Sequence, residues 1–574
     1  MEKGTGAGAP RIIGFFVFFL LIFTAFFSGA VHPWAGDVFI ALSMLLFLIS
    51  LPSADNLNSK RLLPVFLIPG LFCLSAVWTV NLNSTASYIF QFTAYAAFAC
   101  LAASVGDGGR KFLKVIFFTS VIVALYAIYQ YFVGLSNTEA YLRSIATKLP
   151  QEEAVRAALM PRNRRAFATM MSPNILGCYL AMAFTIGLGV AFSAKTKRFL
   201  YIAGLFIIFA ALILTKSLGG FIALFIGIIL FFISVPKAKG FLGNHRKKIV
   251  VLFLLLFSVC VFSVLSMRSS GDFGFARSLS ERMNYWRGAI EIFAAAPMKG
   301  FGAGSFELLY PAHIRPGADE TRYAHNVLLQ ALAETGLPGL IAVLAVFITF
   351  FASCLMKLRK GQEERTPLVA GVFAAGGVFF IHNMLDFSFY VPETAVLFWF
   401  LYGLSTSYAG DEKRGAAAGA ALRAAVAIPL LIIGIFYVKS YLAAQKQEEA
   451  LSMMYMSGIT SSTLARQVPA PPDAIRLAEE AVSLKGYDDR YHSFLAGLYE
   501  GRSLVDGSMA GKAVAEYNKA IRFNPYYPFY YKDLGLLYYR LGDKPKAVIN
   551  FELALSRYPA SENIRKYLDL AKKR

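Results

Sequence analysis

The stretch Met267–Gly339 reads MRSSGDFGFARSLSERMNYWRGAIEIFAAAPMKGFGAGSFELLYPAHIRPGADETRYAHNVLLQALAETGLPG. Long apolar runs flank it, and it carries seven Lys or Arg against seven Asp or Glu. A segment this polar does not sit in lipid. A connector of such length is either functional or disordered, and its patterning argues against disorder. Met283, Trp286, Ile290 and Phe293 recur at helical spacing and predict one apolar helix face. Pro297 ends that helix, and a second helix starts near Asn326 and stops at Gly336 and Pro338. Between them Gly300, Gly302 and Gly304 read as turn residues that let the backbone pass close to a helix. No Gly-Lys-Ser/Thr follows, so they are not a phosphate-cradling loop.

Outward from this stretch the chain is apolar. Of its 574 residues 57% are hydrophobic and only 16% charged, against about 25% charged in ordinary soluble chains. Apolar runs of about twenty residues, the length of a membrane span, recur along it. They predict an all-α, polytopic membrane helical bundle of about thirteen spans. The spans begin near Ile12, Gly36, Leu62, Ala86, Phe112, Ala166, Phe199, Leu218, Ile249, Gly336, Pro367, Pro392 and Leu422. The run from Ile12 to Ala30 lacks a small-residue cleavage site and reads as a retained first span. Cys73, Cys100, Cys178, Cys260 and Cys354 lie in or beside apolar runs without metal-ligand spacing.

The net charge of +21 does not point to nucleic acid, because the basic residues gather in short loops. Lys60-Arg61, Arg110-Lys111-Lys114, Lys195-Lys197-Arg198, Arg246-Lys247-Lys248, Lys357-Arg359-Lys360 and Lys413-Arg414 all fall on one side of the span pattern, and the alternate loops are nearly free of Lys and Arg. The positive-inside rule makes the basic side cytoplasmic. The N-terminus is then inside, and the stretch after Met267 and everything after about Lys439 are outside. The division is a membrane domain over 1–438, with a large outer loop at 268–335, and an outer domain over 439–574.

One outer loop opposes that bias. Leu135 to Arg165 holds Arg143, Lys148, Arg156, Arg162, Arg164 and Arg165 against three glutamates. It reads either as a solvated amphipathic helix on the membrane surface or as an anion site. Arg165 directly precedes an apolar span, and an arginine at membrane depth costs a few kcal/mol unless paired or hydrated. That makes it a candidate for substrate binding.

The tail changes composition and repeats. Leu534, Gly535, Tyr538, Ala547, Phe551, Ala554 and Pro559 match the 34-residue tetratricopeptide pattern. Ala513, Tyr517, Ala520 and Pro525 match one repeat earlier, and Leu495, Ala496 and Tyr499 match with an offset assigned to an insertion near Asp506 to Gly511. Ala474, Ala478 and Ala481 look like the second helix of a still earlier repeat. Such repeats stack into an α-solenoid whose concave face binds partners.

The motif Arg282-x-x-x-Trp286, Pro297-x-x-Gly300-x-Gly302-x-Gly304-x-Phe306, His325-Asn326 and Glu334-x-Gly336 resembles the signature of the O-antigen ligase and O-antigen polymerase family. The upstream block Arg165-Ala-Phe-Ala-Thr-x-x-Ser-Pro173-Asn174 looks like another part of that family. With the span pattern, the resemblance covers roughly residues 10 to 410. It implies a GT-C-like membrane glycosyltransferase that moves a glycan from an undecaprenyl-diphosphate carrier, on the outer side of the bacterial cytoplasmic membrane. The acceptor is a glycan, lipid A-core or a protein. The resemblance also implies chemistry without metal or cofactor, and key Arg and His residues on the large outer loop.

The residue chemistry fits independently. A diphosphate leaving group needs cations where charge develops, and arginine offers bidentate donors and stays charged. Arg282 and Arg287 are five apart and point about 140° from each other on a helix; the motif picks Arg282. His325 can take the proton of an acceptor hydroxyl. Asn326 and Trp286 are candidate substrate contacts. Where the family often has Ser-Arg-Gly, this chain has Thr215-Lys216-Ser217-Leu218-Gly219-Gly220. Leu218 replaces the arginine, and Lys216 either supplies the missing cation or snorkels at the boundary. A second His-Asn step, His382-Asn383, precedes Asp386; His382 and Asp386 at i, i+4 are expected to share a helix face beneath the outer site. Rival readings are a glycan polymerase, a protein O-glycosylating enzyme, a transporter or a membrane-tethered repeat scaffold; an envelope protein docking on the tail is a further partner.

Overall fold

Every regular element in the computed structural model is helical among the described residues. These are 8–27, 33–51, 61–105, 109–145, 164–235, 275–315, 318–360, 365–408, 420–457, 459 and 465–573. The first nine helices are α1 (Gly8–Phe26), α2 (Pro33–Ser50), α3 (Leu63–Ser75), α4 (Leu82–Ala103), α5 (Gly109–Tyr129), α6 (Leu135–Ile145), α7 (Pro173–Ser193), α8 (Arg198–Thr215) and α9 (Leu218–Ser234). The outer stretch holds α10 (Phe275–Ala295) and the short α11 (Phe306–Leu309). Then come α12 (Val327–Arg359), α13 (Thr366–His382), α14 (Pro392–Tyr408) and the 37-residue α15 (Ala420–Met456). The tail is α16 (Pro472–Leu484), α17 (Asp489–Arg502), α18 (Met509–Phe523), α19 (Pro528–Arg540), α20 (Lys544–Arg557) and α21 (Glu562–Lys572).

Among the described residues six helical stretches are long and apolar enough to cross a membrane, and five shorter apolar helices accompany them. The chain is a multi-pass membrane protein. The span predicted near Ile249, Cys260 and the Arg246-Lys247-Lys248 and Lys413-Arg414 loops lie outside the described residues. The run predicted to start near Ala166 begins instead at Pro173, where Ser172 accepts a hydrogen bond from the Ile175 N–H and proline takes the first helical turn. Arg165 therefore sits in non-helical chain ahead of the helix.

The core is built where α7 packs on α8, α9 and α13, and α4 packs on α2, α3 and α14. Aromatic rings fill its centre: Phe379 stacks on Phe398 at 4.5 Å, and Trp399 stacks on Tyr95. The basic loops meet at one end, where Arg110 donates to the Ser193 carbonyl and Tyr402 donates to the Arg61 carbonyl. The loops expected outside meet at the other. There Val80 N–H donates to Phe301, Thr85 to Ala303 and Arg165 to Thr215.

The glycines of the outer stretch behave as expected. Gly300 and Gly302 take positive φ of 61° and 100°. A Cβ on Gly300 would lie 2.2 Å from the Glu334 carbonyl oxygen, and one on Gly302 equally close to Thr79. The Phe301 and Gly302 N–H groups both donate to Glu334 O, which ties the turn to α12. That helix kinks at Gly336 and resumes through Pro338, at the predicted stop. The apolar face assigned to α10 is corrected. Met283 and Ile290 are 60% and 54% exposed, while Tyr285, Ala289 and Ile292 are buried. The helix docks through its small residues: a Cβ on Gly288 would lie 2.7 Å from the Tyr310 ring. Of the four predicted residues, Met283 and Ile290 face outward, and Trp286 and Phe293 are half-buried at the edge of the packed face.

No linker separates the two predicted domains at 438. The helix α15 runs through that point, donates from Tyr437 to Asp37 in its first half, and packs on α16 in its second. The tail helices follow one another through turns of three to six residues and pack in succession. The predicted repeat positions Ala513, Tyr517, Ala520, Ala547, Phe551 and Ala554 are all buried, and the longest turn, 503–508, falls beside the expected insertion.

Candidate active site

Three segments far apart in sequence converge at the end of the bundle opposite the basic loops: α10, the turn before α12 and the turn after α13. Arg282 projects from α10. Its Nε donates to the Leu385 carbonyl at 2.7 Å, Nη1 donates to the Ser278 carbonyl and hydroxyl, and Nη2 stands 4.0 Å from Asp386 Oδ2. The neighbouring Glu281 carboxylate accepts the Asp319 N–H. Arg287 points away, donating to the His313 carbonyl and facing Glu291 at 3.5 Å. The spacing argument that separated the two arginines holds.

His325 sits just before α12 with φ of 53°, a left-handed conformation unusual for a side-chain-bearing residue. Asn326 accepts the Leu328 and Leu329 N–H groups, so it caps α12, and donates to the Met384 carbonyl. The His325 ring stacks on Tyr285 and meets the edge of Phe387. Nδ1 lies 3.8 Å from Asp386 Oδ1, beyond hydrogen-bond reach, and has no other partner. Burial lowers the pKa of this imidazole, the Asp386 carboxylate opposes the shift, and Arg282 and His382 add to it. The ring is therefore neutral near neutral pH.

Asp386 is placed differently from the helix-face expectation. Helix α13 ends at His382 and Asn383 caps it, so residues 383–386 form a turn rather than a further helical turn. His382 Nδ1 hydrogen-bonds the Ser388 hydroxyl at 3.0 Å instead of Asp386. The Asp386 carboxylate is only 3% exposed and faces Arg282 with one oxygen and His325 with the other.

Arg165 and Lys216 come together beside this group. Arg165 donates to the Thr215 carbonyl at 2.8 Å, to Asn174 Oδ1 at 2.7 Å and to the Lys216 carbonyl. Lys216 caps the end of α8 with φ of 50°. Burial lowers the pKa of the Lys216 ammonium, and the Arg165 and Arg164 charges lower it further. Burial likewise lowers Arg165; Asp386 opposes that shift and Arg282 adds to it. Neither Arg165 nor Lys216 forms an ion pair among the described residues. Helices α7, α9 and α12 also begin at this end, with their N-termini capped by Ser172, Ser217 and Asn326. Positive dipole ends and clustered cations together favour an anion. Trp286 is half-buried with its indole N–H unpartnered. No hydrogen bond or ring contact among the described residues joins it to His325 or Asp386.

Residues 203–344 match the family model described as O-antigen ligase. This segment, about a quarter of the chain, is similar to the O-antigen ligase family. The matched segment contains Lys216, Arg282, Trp286, His325 and Asn326, and stops short of Asp386. The chain is also 27% identical over 136 residues to the exopolysaccharide production protein ExoQ of Rhizobium meliloti (strain 1021), which covers 21% of this chain and 29% of that protein. It is 41% identical over 73 residues to the cellulose synthase operon protein C of Escherichia coli (strain K12), covering 13% of this chain and 6% of that protein. The chain thus spans less than a third of the length of either relative.

Tyr285, Phe387, Asn174 and Ser388 were not singled out in the sequence. Asn174 lies in the quoted upstream block, so its position was marked though its role was not. Tyr285 and Phe387 carry no spacing signal; only the fold brings their rings to His325.

Proposed function

We propose that the protein transfers a glycan from an undecaprenyl-diphosphate carrier to an acceptor hydroxyl, on the outer face of the bacterial cytoplasmic membrane. The observation that carries this reading is the buried Asp386 carboxylate between Arg282 and His325, next to Arg165 and Lys216, cations that form no ion pair among the described residues. The acceptor oxygen attacks the anomeric carbon, the bond from that carbon to the phosphate oxygen breaks, and the diphosphate leaves with the electron pair. His325 takes the acceptor proton, and Asp386 stabilises the imidazolium that forms. Arg282, Arg165 and Lys216 meet the charge gathering on the diphosphate, and Lys216 does so in place of the arginine that Leu218 displaces. Asn326 and Trp286 border the reacting sugars. His382 holds Ser388 and supports the turn that carries Asp386.

The tail reads as a tetratricopeptide solenoid outside the membrane, able to dock an acceptor or an envelope protein. The basic-loop bias supports this orientation. Transfer to lipid A-core or to a protein is the ligase form of the reaction. Extension of the glycan itself is the second reading, which the similarity to an exopolysaccharide production protein favours. Purified protein given carrier-linked glycan and candidate acceptors tests the proposal. Transfer that persists in a chelator is expected; transfer that needs added magnesium or manganese overturns the side-chain assignment of the diphosphate site.

A further inference from the structure

A cavity of about 570 Å³ lies between the tail and the outer face of the membrane domain, within the range of about 300–1,000 Å³ typical of ligand sites. Contacts that hold the two parts together border it. Asn81 donates to Asp489 at 2.9 Å, and Lys485 donates to Asn83 at 2.6 Å. The tail supplies one wall from α17 and from the turn into α19; the start of α4, Glu307 and Arg322 supply the other.

The lining is both aromatic and polar. Tyr527 packs against Phe529 and Tyr530 with centroids 5.3 and 4.6 Å apart. Each of its cations faces a carboxylate: Arg322 faces Glu307 at 3.2 Å, Arg466 and Lys532 share Asp533 at 2.6 and 3.3 Å, and Arg490 faces Asp488 at 3.2 Å. No surplus charge is left for a polyanion. The buried Asn524 donates to Asp489, which fixes its amide orientation, and leaves Oδ1 without a partner. Flat rings and fixed carboxylates and amides suit a polyhydroxylated ligand, whose apolar ring faces stack while its hydroxyls hydrogen-bond. A run of side-chain contacts links the cavity wall to the candidate centre. Arg322 lies over Tyr323, Tyr323 stacks on Phe387 at 4.7 Å, and Phe387 meets His325 at 4.9 Å.

We infer that this cavity between the tail and the outer loop binds a segment of the glycan chain next to its reacting end, making the tail part of the substrate site. The inference rests on the transferase reading above. The test uses full-length protein with two variants. Ser493→Trp fills the cavity from α17, and Phe529→Ala removes a stacking ring. Calorimetry measures binding of lipid-free sugars cut from the source cells' surface polysaccharide, as monosaccharide and as longer oligosaccharides. The wild type is expected to favour the longer ones, and each variant with an unchanged melting temperature is expected to lose about tenfold of that preference, the effect of one stacking partner. Transfer from a donor carrying a single sugar should stay at the wild-type rate. Equal oligosaccharide binding in wild type and both variants overturns the inference, as does a cavity that takes a peptide and no sugar. Length-dependent binding in a protein that transfers no glycan defeats the transferase reading and leaves the cavity assignment standing.

Discussion

His325-Asn326 and His382-Asn383 are the same dipeptide in two settings. Both stand at a helix end, and they touch, since Val327 N–H donates to the Asn383 carbonyl. Asn326 begins α12; Asn383 ends α13 and accepts the Phe389 N–H. The His382 ring is buried, with Nδ1 tied to Ser388. The His325 side chain is 19% exposed, sits on strained backbone and faces a carboxylate too distant to hydrogen-bond. Each ring leaves one nitrogen without a hydrogen-bond partner among the described residues, Nε2 in His382 and Nδ1 in His325. The enclosed ring tied to a hydroxyl is placed to hold structure, and the partly exposed ring beside a buried carboxylate is placed to take a proton. The dipeptide alone does not distinguish them; the turn that carries Asp386 does.

The largest expected effect separates the two directly. His325→Ala should lower transfer by about 10²–10⁴-fold, the usual worth of a general base, with insertion and melting temperature unchanged. Equal losses from His325→Ala and His382→Ala would erase the contrast. Arg282→Ala comes next, at about 10²–10³-fold for the loss of a preorganised charge contact. Arg282→Lys should recover little of it, because an ammonium lacks the planar fork. Arg287→Ala should be mild, since that side chain serves Glu291 and His313. A dead Arg287→Ala beside an active Arg282→Ala would put the site on the other face of α10. The smallest effect on turnover belongs to His382→Ala. It should instead cost roughly 1–3 kcal/mol of stability by stranding the Ser388 hydroxyl, read as a lower melting temperature.

Much of this contrast was legible in the sequence. The polar stretch between apolar runs located the segment that carries the candidate site, and helical spacing separated Arg282 from Arg287. The glycines marked where backbone meets α12, and the repeat spacing marked buried positions of the tail. The role of Asp386 was not legible, because i, i+4 reasoning assumes the helix continues, and α13 stops at Asn383. The inward face of α10 was missed because it packs through Gly288 and Ala289, which hydrophobic periodicity does not register. The cavity was out of reach for another reason. It depends on contacts such as Asn81 with Asp489, between segments that no local pattern connects.

The central claim is that His325 acts as the base in its neutral form. Burial lowers its pKa, so the ring should stay neutral as pH drops through the ordinary histidine value of about 6.5 and take up a proton only below it. The deciding measurement is the pH dependence of single-turnover transfer, with carrier binding followed in the same samples, for the wild type and for the residual activity of His325→Ala. The wild type is expected to keep its rate down to pH values below the ordinary histidine range and then lose it, while His325→Ala lacks that acid limb and still binds carrier. An acid limb at or above the ordinary value, or the same limb persisting in His325→Ala, would contradict the assignment.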